Sequence, residues 1–264
     1  MPDVCLQLRP SGSLKEYGRA LDFAERCGFD GVELANPPLS LDYERLQLSL
    51  LEHGLPVRSV TMPSPASATG LMLHGHSMAC DELQPDLLIV PVPTAAVMSW
   101  PAYRLFRGGV LLLKETYGDR VSVENTGPTL LQRPVLNIKG LRDFAYEHDV
   151  GINFDLSNCA AAGMDILLTC DMLMPRIRNV HFSDFGGYMV RGHQLPGTGL
   201  LPLGMLLARL EEYRYKGLIT LEVDGELFGP DEHDPVVLYS EIVGFIRSYF
   251  GRARDSSVAA ARAT

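Results

Sequence analysis

Short apolar runs alternate with longer amphipathic segments along the chain. Eight of these runs are about four to six residues long and largely apolar, which is typical of parallel strands buried on both faces. In order, they are Val4–Leu8, Gly31–Leu34, Val57–Thr61, Leu87–Pro91, Val121–Asn125, Gly151–Asp155, Arg178–Ser183 and Leu218–Val223. We expect the interior of each strand to be apolar and functional polar residues to lie at the strand ends.

The longer segments carry apolar residues at helical spacing. In Leu14–Cys27, the side chains of Leu14, Tyr17, Leu21 and Ala24 share one face of a helix. The same reasoning predicts further helices at Leu41–Glu52, Leu141–Glu147, Met164–Met172, Leu203–Tyr213 and Val236–Phe250.

Alternating strands and helices indicate βα units and a parallel sheet. The chain of 264 residues gives eight units an average of 33 residues each, close to the size of one such unit. No Gly-x-Gly-x-x-Gly follows the first strand, which argues against an open dinucleotide-binding sheet. We therefore predict an α/β fold, a single-domain (β/α)8 TIM barrel over residues 1–251, with a disordered tail at 252–264.

Four polar residues follow apolar residues at the ends of the last four predicted strands. They are Glu124, Asp155, His181 and Glu222, one from each strand. Because the carboxyl ends of barrel strands meet at one mouth, these side chains are expected to converge there. Each residue taken singly is equally well explained as a solvated polar residue at a strand end or in a loop. Four in consecutive strands are not.

Three carboxylates brought together in a buried site repel one another unless a cation compensates for them. Three oxygen donors and one imidazole suit one divalent metal ion. We expect Mn²⁺, with Mg²⁺, Co²⁺ or Zn²⁺ as alternatives.

Composition and charge limit the possible partners. Hydrophobic residues make up 46% and charged residues 21%, as in ordinary globular proteins. The net charge of −9 argues against a nucleic-acid partner, which usually requires a basic face. We find no signal peptide and no apolar run of membrane-spanning length, so no membrane association is expected. Five scattered cysteines without a Cys-x-x-Cys pair predict free thiols and a cytoplasmic location.

Several motifs resemble one family when they are taken in order. They are Gly28-Phe29-Asp30-Gly31-Val32-Glu33-Leu34, Glu124-Asn125, Asp155, His181-Phe182-Ser183-Asp184, Pro196-Gly197-Thr198-Gly199 and Gly217-Leu218-Ile219-Thr220-Leu221-Glu222. Over nearly the whole chain, the sequence resembles the xylose isomerase-like TIM barrel superfamily. The similarity is to its sugar phosphate isomerase/epimerase branch, which is related to AP endonuclease family 2.

The resemblance implies that Glu124, Asp155, His181 and Glu222 bind the metal. It also implies that Glu124 and Glu222 are the catalytic acid/base pair of a sugar, sugar-acid or polyol isomerase or epimerase. Such chemistry removes a proton beside a carbonyl and passes through a metal-stabilised enediolate. Relatives are often dimers or tetramers, so a homo-oligomer is possible.

The sequence also departs from the family pattern. Many relatives carry a His three residues after the Asp of the sixth strand, where this chain has Asn158. That position helps to build a multi-zinc cluster in the endonuclease branch and orients substrate in ketose epimerases. Alternative functions therefore stay open: an inosose-dehydratase-like lyase, an AP-endonuclease-like hydrolase, or a non-catalytic metal-binding barrel.

Five further residues are candidates for contacts with substrate or with the ligands, each with a structural alternative. Glu33 binds substrate or a metal-bound water, or is a polar strand terminus. Asp184 orients the site or caps a loop. Arg191 and His193 contact substrate or belong to an ordinary flexible loop. Asn158 completes the set of candidates, which is Glu33, Asn158, Asp184, Arg191 and His193.

Overall fold

The structure, a computed structural model, describes residues 1–9, 13–38, 40–64, 80–96, 99–187, 192–224 and 234–251. The tail predicted at 252–264 lies outside these residues. Eight parallel strands form a closed barrel. They are β1 (Asp3–Leu8), β2 (Gly31–Ala35), β3 (Val57–Thr61), β4 (Leu87–Pro91), β6 (Val121–Glu124), β8 (Gly151–Asp155), β9 (Ile177–Phe182) and β10 (Leu218–Leu221). Around the barrel, their order is β1, β10, β9, β8, β6, β4, β3, β2. The predicted (β/α)8 barrel is confirmed.

Helices cover the outside of the barrel. They are α1 (Leu14–Cys27), α2 (Tyr43–His53), α3 (Ser99–Tyr117), α4 (Ile138–His148), α5 (Leu156–Ala161), α6 (Ile166–Leu173), α7 (Leu203–Glu212) and α8 (Pro235–Phe250). Residues 80–83 are also helical. Side-chain caps mark where helices begin. At α1, the Ser13 hydroxyl accepts a hydrogen bond from the Glu16 N–H, and Asp42 caps α2 in the same way. Gly28 ends α1 in the left-handed conformation, with φ of +79°.

Several elements were not predicted, among them α5 and the helical residues 80–83. The helix α3 spans 19 residues where no helix is predicted, and it buries Phe106, Val110, Leu113 and Tyr117 at helical spacing. In addition, β5 (Thr94–Ala95) pairs with β7 (Arg133–Pro134) in a small antiparallel sheet beside the barrel mouth.

The barrel strands alternate between two kinds of side chain. Outward residues such as Val4, Leu6 and Val32 join the large apolar cluster that includes the helix residues. Inward residues are polar in the upper part of the barrel, and hydrogen bonds between the non-neighbouring strands β2 and β9 cross its interior. These buried polar residues include Gln7, Glu33, Ser59, Thr61, Ser122, Asn153, Asn179 and Thr220.

The expectation of apolar strand interiors is therefore wrong for the inward face. Only the outward face packs against helices, whereas most of the inward polar side chains form hydrogen bonds with one another. All five cysteines are free and buried, as predicted from their spacing. Among the described residues, no helix has the length and apolar character needed to cross a membrane.

Candidate metal centre

The four predicted ligands come together at the carboxyl ends of consecutive barrel strands. Glu124 ends β6, Asp155 ends β8, His181 lies near the end of β9, and Glu222 directly follows β10. All four are buried. Within the described part of the chain, donor atoms of Glu124, Asp155 and His181 lie within 4.8 Å of one another, and those of Asp155, His193 and Glu222 do so as well.

Glu33 supports this cluster from the barrel interior. Its carboxylate is completely buried and accepts hydrogen bonds from Gln7 (2.8 Å), Ser59 (2.6 Å) and Thr61 (2.8 Å). It also lies 3.1 Å from Nε2 of His181. Burial alone would raise the pKa of Glu33, but His181 and these donors outweigh it and lower the pKa. Glu33 thus contacts one of the four predicted ligands, His181.

His181 links Glu33 to Glu222 across the barrel. Its Nε2 faces Glu33, and its Nδ1 lies 2.6 Å from Oε2 of Glu222. Burial would lower the pKa of His181, but the carboxylates of Glu33, Glu222 and Glu124 hold it well above its usual value. A carboxylate on one nitrogen of a ligating His fixes the direction of the other nitrogen.

Glu222 is held by a residue that the sequence argument did not identify. Arg9 follows β1, and its Nη2 forms an ion pair with Oε1 of Glu222, while its Nη1 lies 2.9 Å from Oδ1 of Asp224. Burial opposes ionisation of Glu222, but His181, His193 and Arg9 together lower its pKa to about 2. Glu222 is therefore an ionised carboxylate.

The pKa values of Glu124 and Asp155, in contrast, are raised. Burial and the neighbouring Glu222 outweigh the two histidines and raise the pKa of Asp155 to about 6. Burial, Asp155 and Glu222 likewise raise the pKa of Glu124 well above its usual value, against the effect of His181. Protons bind more readily to these two carboxyl groups because their negative charges lack sufficient compensation.

Amides hold these two carboxylates in place. Asn153 donates to Oε2 of Glu124 over 3.0 Å. Asn158 donates to Asp155 through both its backbone N–H and its side-chain amide, each over 2.8 Å. The side chain of Asn125 pairs with the backbone N–H and C=O of Asp155. Asn158 therefore orients the predicted ligand Asp155 directly.

Asp184 organises the loop after β9. Its carboxylate accepts hydrogen bonds from the backbone N–H groups of Phe185 (2.8 Å), Gly197 (3.0 Å) and Leu201 (3.0 Å). A Cβ atom on Gly199 would lie 2.4 Å from Oδ1 of Asp184, which accounts for the glycine there. These contacts favour the loop-capping interpretation of Asp184.

His193 reaches the cluster from this loop. Its backbone has a φ of +52°, which is rare for a residue other than glycine, and its N–H donates to Ser157 Oγ over 3.1 Å. Its Nδ1 lies 3.5 Å from Oε2 of Glu222, and its Nε2 lies 3.9 Å from Oδ2 of Asp155. Arg191, predicted beside it, lies outside the described residues.

Two cavities open at the cluster. One has a volume of about 390 Å³ and is lined by Gln7, Arg9, Ala35, Asn36, Thr61, Glu124, His181 and Glu222. The other is a groove of about 1130 Å³ whose lining includes Asn125, Asn158, Phe185 and His193. The smaller cavity places polar side chains opposite the ligand set.

The donor set suits a divalent cation. Oε2 of Glu222 and Nδ1 of His181 are buried and, within the described part of the chain, have no hydrogen-bond partner, although they lie 2.6 Å apart. These two atoms form an ion pair at the centre of the cluster, and both would be available as ligands of one ion. The raised pKa values of Glu124 and Asp155 point to the same missing positive charge.

The sequence also matches a known protein family. The profile of the xylose isomerase-like TIM barrel family matches residues 110–249, about half of the chain. The chain belongs to this family. The matched segment of the xylose isomerase-like barrel contains all four predicted ligands. No curated protein matches the sequence significantly.

Solved structures share the barrel at low sequence identity. L-Ribulose 3-epimerase superposes with a TM-score of 0.76 at 16% identity, covering 98% of both chains. The 3-keto-D-glucoside 4-epimerase of E. coli gives 0.72 at 15% identity, covering 94% of this chain and 100% of its own. AP endonuclease family 2 from Brucella melitensis gives 0.72 at 15% identity, covering 92% and 99%. These similarities establish the fold.

Sequence reasoning missed several residues that shape the centre. Gln7 and Asn153 alternate with apolar residues inside strands, Asn179 lies two residues before His181 in β9, and Arg9 follows β1 as Glu222 follows β10. The strict alternation in Val121-Ser122-Val123-Glu124 and Ile152-Asn153-Phe154-Asp155 is the signal that identifies an inward polar face.

Proposed function

We propose that this protein is a divalent-metal-dependent isomerase or epimerase of a small sugar, sugar acid or polyol. The observation that carries the proposal is the convergence of Glu124, Asp155, His181 and Glu222 from four consecutive strands. The names of two structural neighbours, L-ribulose 3-epimerase and 3-keto-D-glucoside 4-epimerase, agree with this class of reaction. The acidic and imidazole donors favour Mn²⁺ as the ion, with Mg²⁺, Co²⁺ or Zn²⁺ as alternatives.

The two glutamates can be assigned different roles from their surroundings. Glu222 is ionised and lines the smaller cavity, so it is placed to accept a proton from the carbon beside the substrate carbonyl. Glu124, on the other side of the ligand set, would give a proton to the opposite face of the substrate, and proton exchange with solvent would then restore both glutamates. Return to the same carbon inverts its configuration, and return to the neighbouring carbon gives the isomer.

The remaining residues hold the reacting groups in place. Asp155 and His181 lie between the two glutamates and would complete the ligand set. A bound divalent ion would stabilise the negative charge that develops on the substrate oxygens. Gln7, Asn36 and Thr61 line the smaller cavity and offer hydrogen bonds to hydroxyl groups. This polar wall matches a small polyhydroxylated substrate.

Proton exchange with solvent tests the proposal. The Mn²⁺-treated protein is incubated in D₂O with a panel of ketoses, keto-sugars and inososes and followed by ¹H NMR. We expect deuterium to replace the hydrogen beside the carbonyl of at least one compound. Glu222→Gln should slow this exchange about 10²- to 10⁴-fold. Glu212→Gln, a change of an exposed residue on α7, should leave it unchanged.

Two results would contradict the proposal. One is the absence of exchange into any compound although the metal is bound, which would favour a non-catalytic barrel. The other is the loss of water from an inosose, which would assign a lyase that shares the first proton transfer.

A further inference from the structure

Arg9 stands directly beside the proposed proton acceptor, although neither the sequence argument nor the family resemblance gives it a role. It follows β1 and lines the cavity of about 390 Å³ together with Glu222 and His181. Its guanidinium carries an ion pair to Glu222 and a second pair to Asp224 at 2.9 Å. Arg9 therefore sits where substrate and ion would meet.

The two oxygens of Glu222 have different surroundings because of Arg9. Oε1 is engaged by Nη2 of Arg9. Oε2 points toward Nδ1 of His181 at 2.6 Å and Nδ1 of His193 at 3.5 Å, and the described residues give it no hydrogen-bond partner. Oε1 is thus paired with the Arg9 guanidinium, whereas Oε2 is available to bind an ion at the centre.

Arg9 is itself fixed on more than one side. Asp224 holds Nη1, and Nε donates to Oε1 of Gln7 over 2.5 Å. Gln7 in turn donates to Glu33, which contacts His181. The contacts therefore close into a ring through Arg9, Gln7, Glu33, His181 and Glu222. A planar guanidinium with several directed donors can maintain such a ring.

We propose that Arg9 is a positioning residue that retains Oε1 of Glu222, so that this carboxylate offers a single oxygen to the centre. This inference rests on the proposed metal-dependent function. Arg9 and the divalent ion then compete for one carboxylate. Removal of Arg9 should therefore strengthen metal binding, because a nearby positive charge is lost and both oxygens of Glu222 become available. A purely structural role predicts the opposite, since a disordered site binds metal less tightly.

Calorimetric titration with Mn²⁺ separates these outcomes. We expect Arg9→Gln to bind Mn²⁺ more tightly than wild type, by a factor on the order of ten. Arg9→Met, which keeps most of the side-chain length, should behave in the same way and provides a second neutral variant. Arg9→Lys keeps the charge and should bind Mn²⁺ within about threefold of wild type.

A matched control lies at the opposite end of the barrel. Arg58 also bridges two carboxylates, Asp3 at 2.6 Å and Asp86 at 2.7 Å. Arg58→Gln makes the same change in net charge far from the centre, and we expect an affinity within about twofold of wild type, because charges at the far end of the barrel are screened.

The outcomes distinguish the two proposals. If wild type binds no Mn²⁺, the proposed function fails. If wild type binds Mn²⁺ but the folded neutral variants bind it equally or less tightly, the role of Arg9 is wrong. An equal gain in Arg58→Gln would also overturn that role, because net charge alone would then explain the effect.

Discussion

Carboxylates are buried on two sides of the barrel mouth, and their pKa values shift in opposite directions. On the β2 side, the carboxylate of Glu33 receives hydrogen bonds from hydroxyl and amide groups and faces His181, and its pKa is lowered. On the β6 and β8 side, Glu124 and Asp155 have fewer donors, and their pKa values are raised. The carboxylates are similarly buried on the two sides, so the difference in pKa comes from their hydrogen-bond and charge partners.

The comparison shows where protein groups leave buried carboxylates without a compensating partner. Glu33 is compensated by protein groups, as a buried structural carboxylate must be. Glu124 and Asp155 are not, and the excess of negative charge is met either by protons or by a metal ion. The hydrogen bonds thus distinguish the supporting carboxylate of Glu33 from the predicted ligands Glu124 and Asp155.

The largest expected effect is at Asp155. Asp155→Asn removes a ligand and a charge, and should weaken Mn²⁺ binding by more than about 100-fold, beyond the range seen for supporting residues. At 100 times its Kd, Mn²⁺ should stabilise the wild type by about 2.7 kcal/mol in denaturant unfolding. Asp155→Asn should lose this gain. Asp86→Asn, an exposed change below the barrel, should keep it.

A smaller effect is expected at Glu33. Glu33→Gln keeps the shape of the side chain but replaces one acceptor oxygen by an NH₂ group that faces donors. His181 then loses its orienting carboxylate, and Mn²⁺ affinity should fall about 10- to 100-fold in the same titration. An unchanged affinity would mean that the two sides of the mouth are independent.

The metal affinity should also depend on pH. Because the pKa of Asp155 is raised to about 6, the proton competes with the ion below that pH, and the carboxylate is free above it. Because the pKa values of Glu124 and His181 are raised as well, Mn²⁺ affinity should rise with pH from 5 to 8, by up to about tenfold per unit for each ligand that must lose a proton. A pH-independent affinity between 5 and 7 would show that Asp155 is ionised without the metal.

The smallest effect is expected at Asn158. Asn158→Ala removes one side-chain hydrogen bond to Asp155 and leaves the backbone one in place. The loss of roughly 1 kcal/mol corresponds to about fivefold weaker Mn²⁺ binding. An effect as large as that of Asp155→Asn would indicate that Asn158 is itself a ligand.

The sequence predicts the barrel and the four convergent residues because both depend on local patterns. Apolar runs of strand length mark the eight strands, and a polar residue at each of four strand ends lies at the mouth by topology alone. The inward polar network was not predicted. Gln7, Asn179 and Thr220 take their partners from strands distant in sequence, and those pairings exist only after the barrel closes.

The helix α3 was missed for a different reason. Pro101 and the pair Gly108–Gly109 lie within it, and proline and glycine argue against a helix in local terms. The buried side chains of Phe106 and Val110 stabilise it by packing against the barrel. Arg9 likewise gives no local signal, because its partners Glu222 and Asp224 lie more than 200 residues away.

Anomalous diffraction from crystals soaked in Mn²⁺ tests the central claim most directly. The account predicts one strong peak per chain, located among the side chains of Glu124, Asp155, His181 and Glu222 and absent in Asp155→Asn. A peak elsewhere, or no peak in wild type at saturating Mn²⁺, would contradict it.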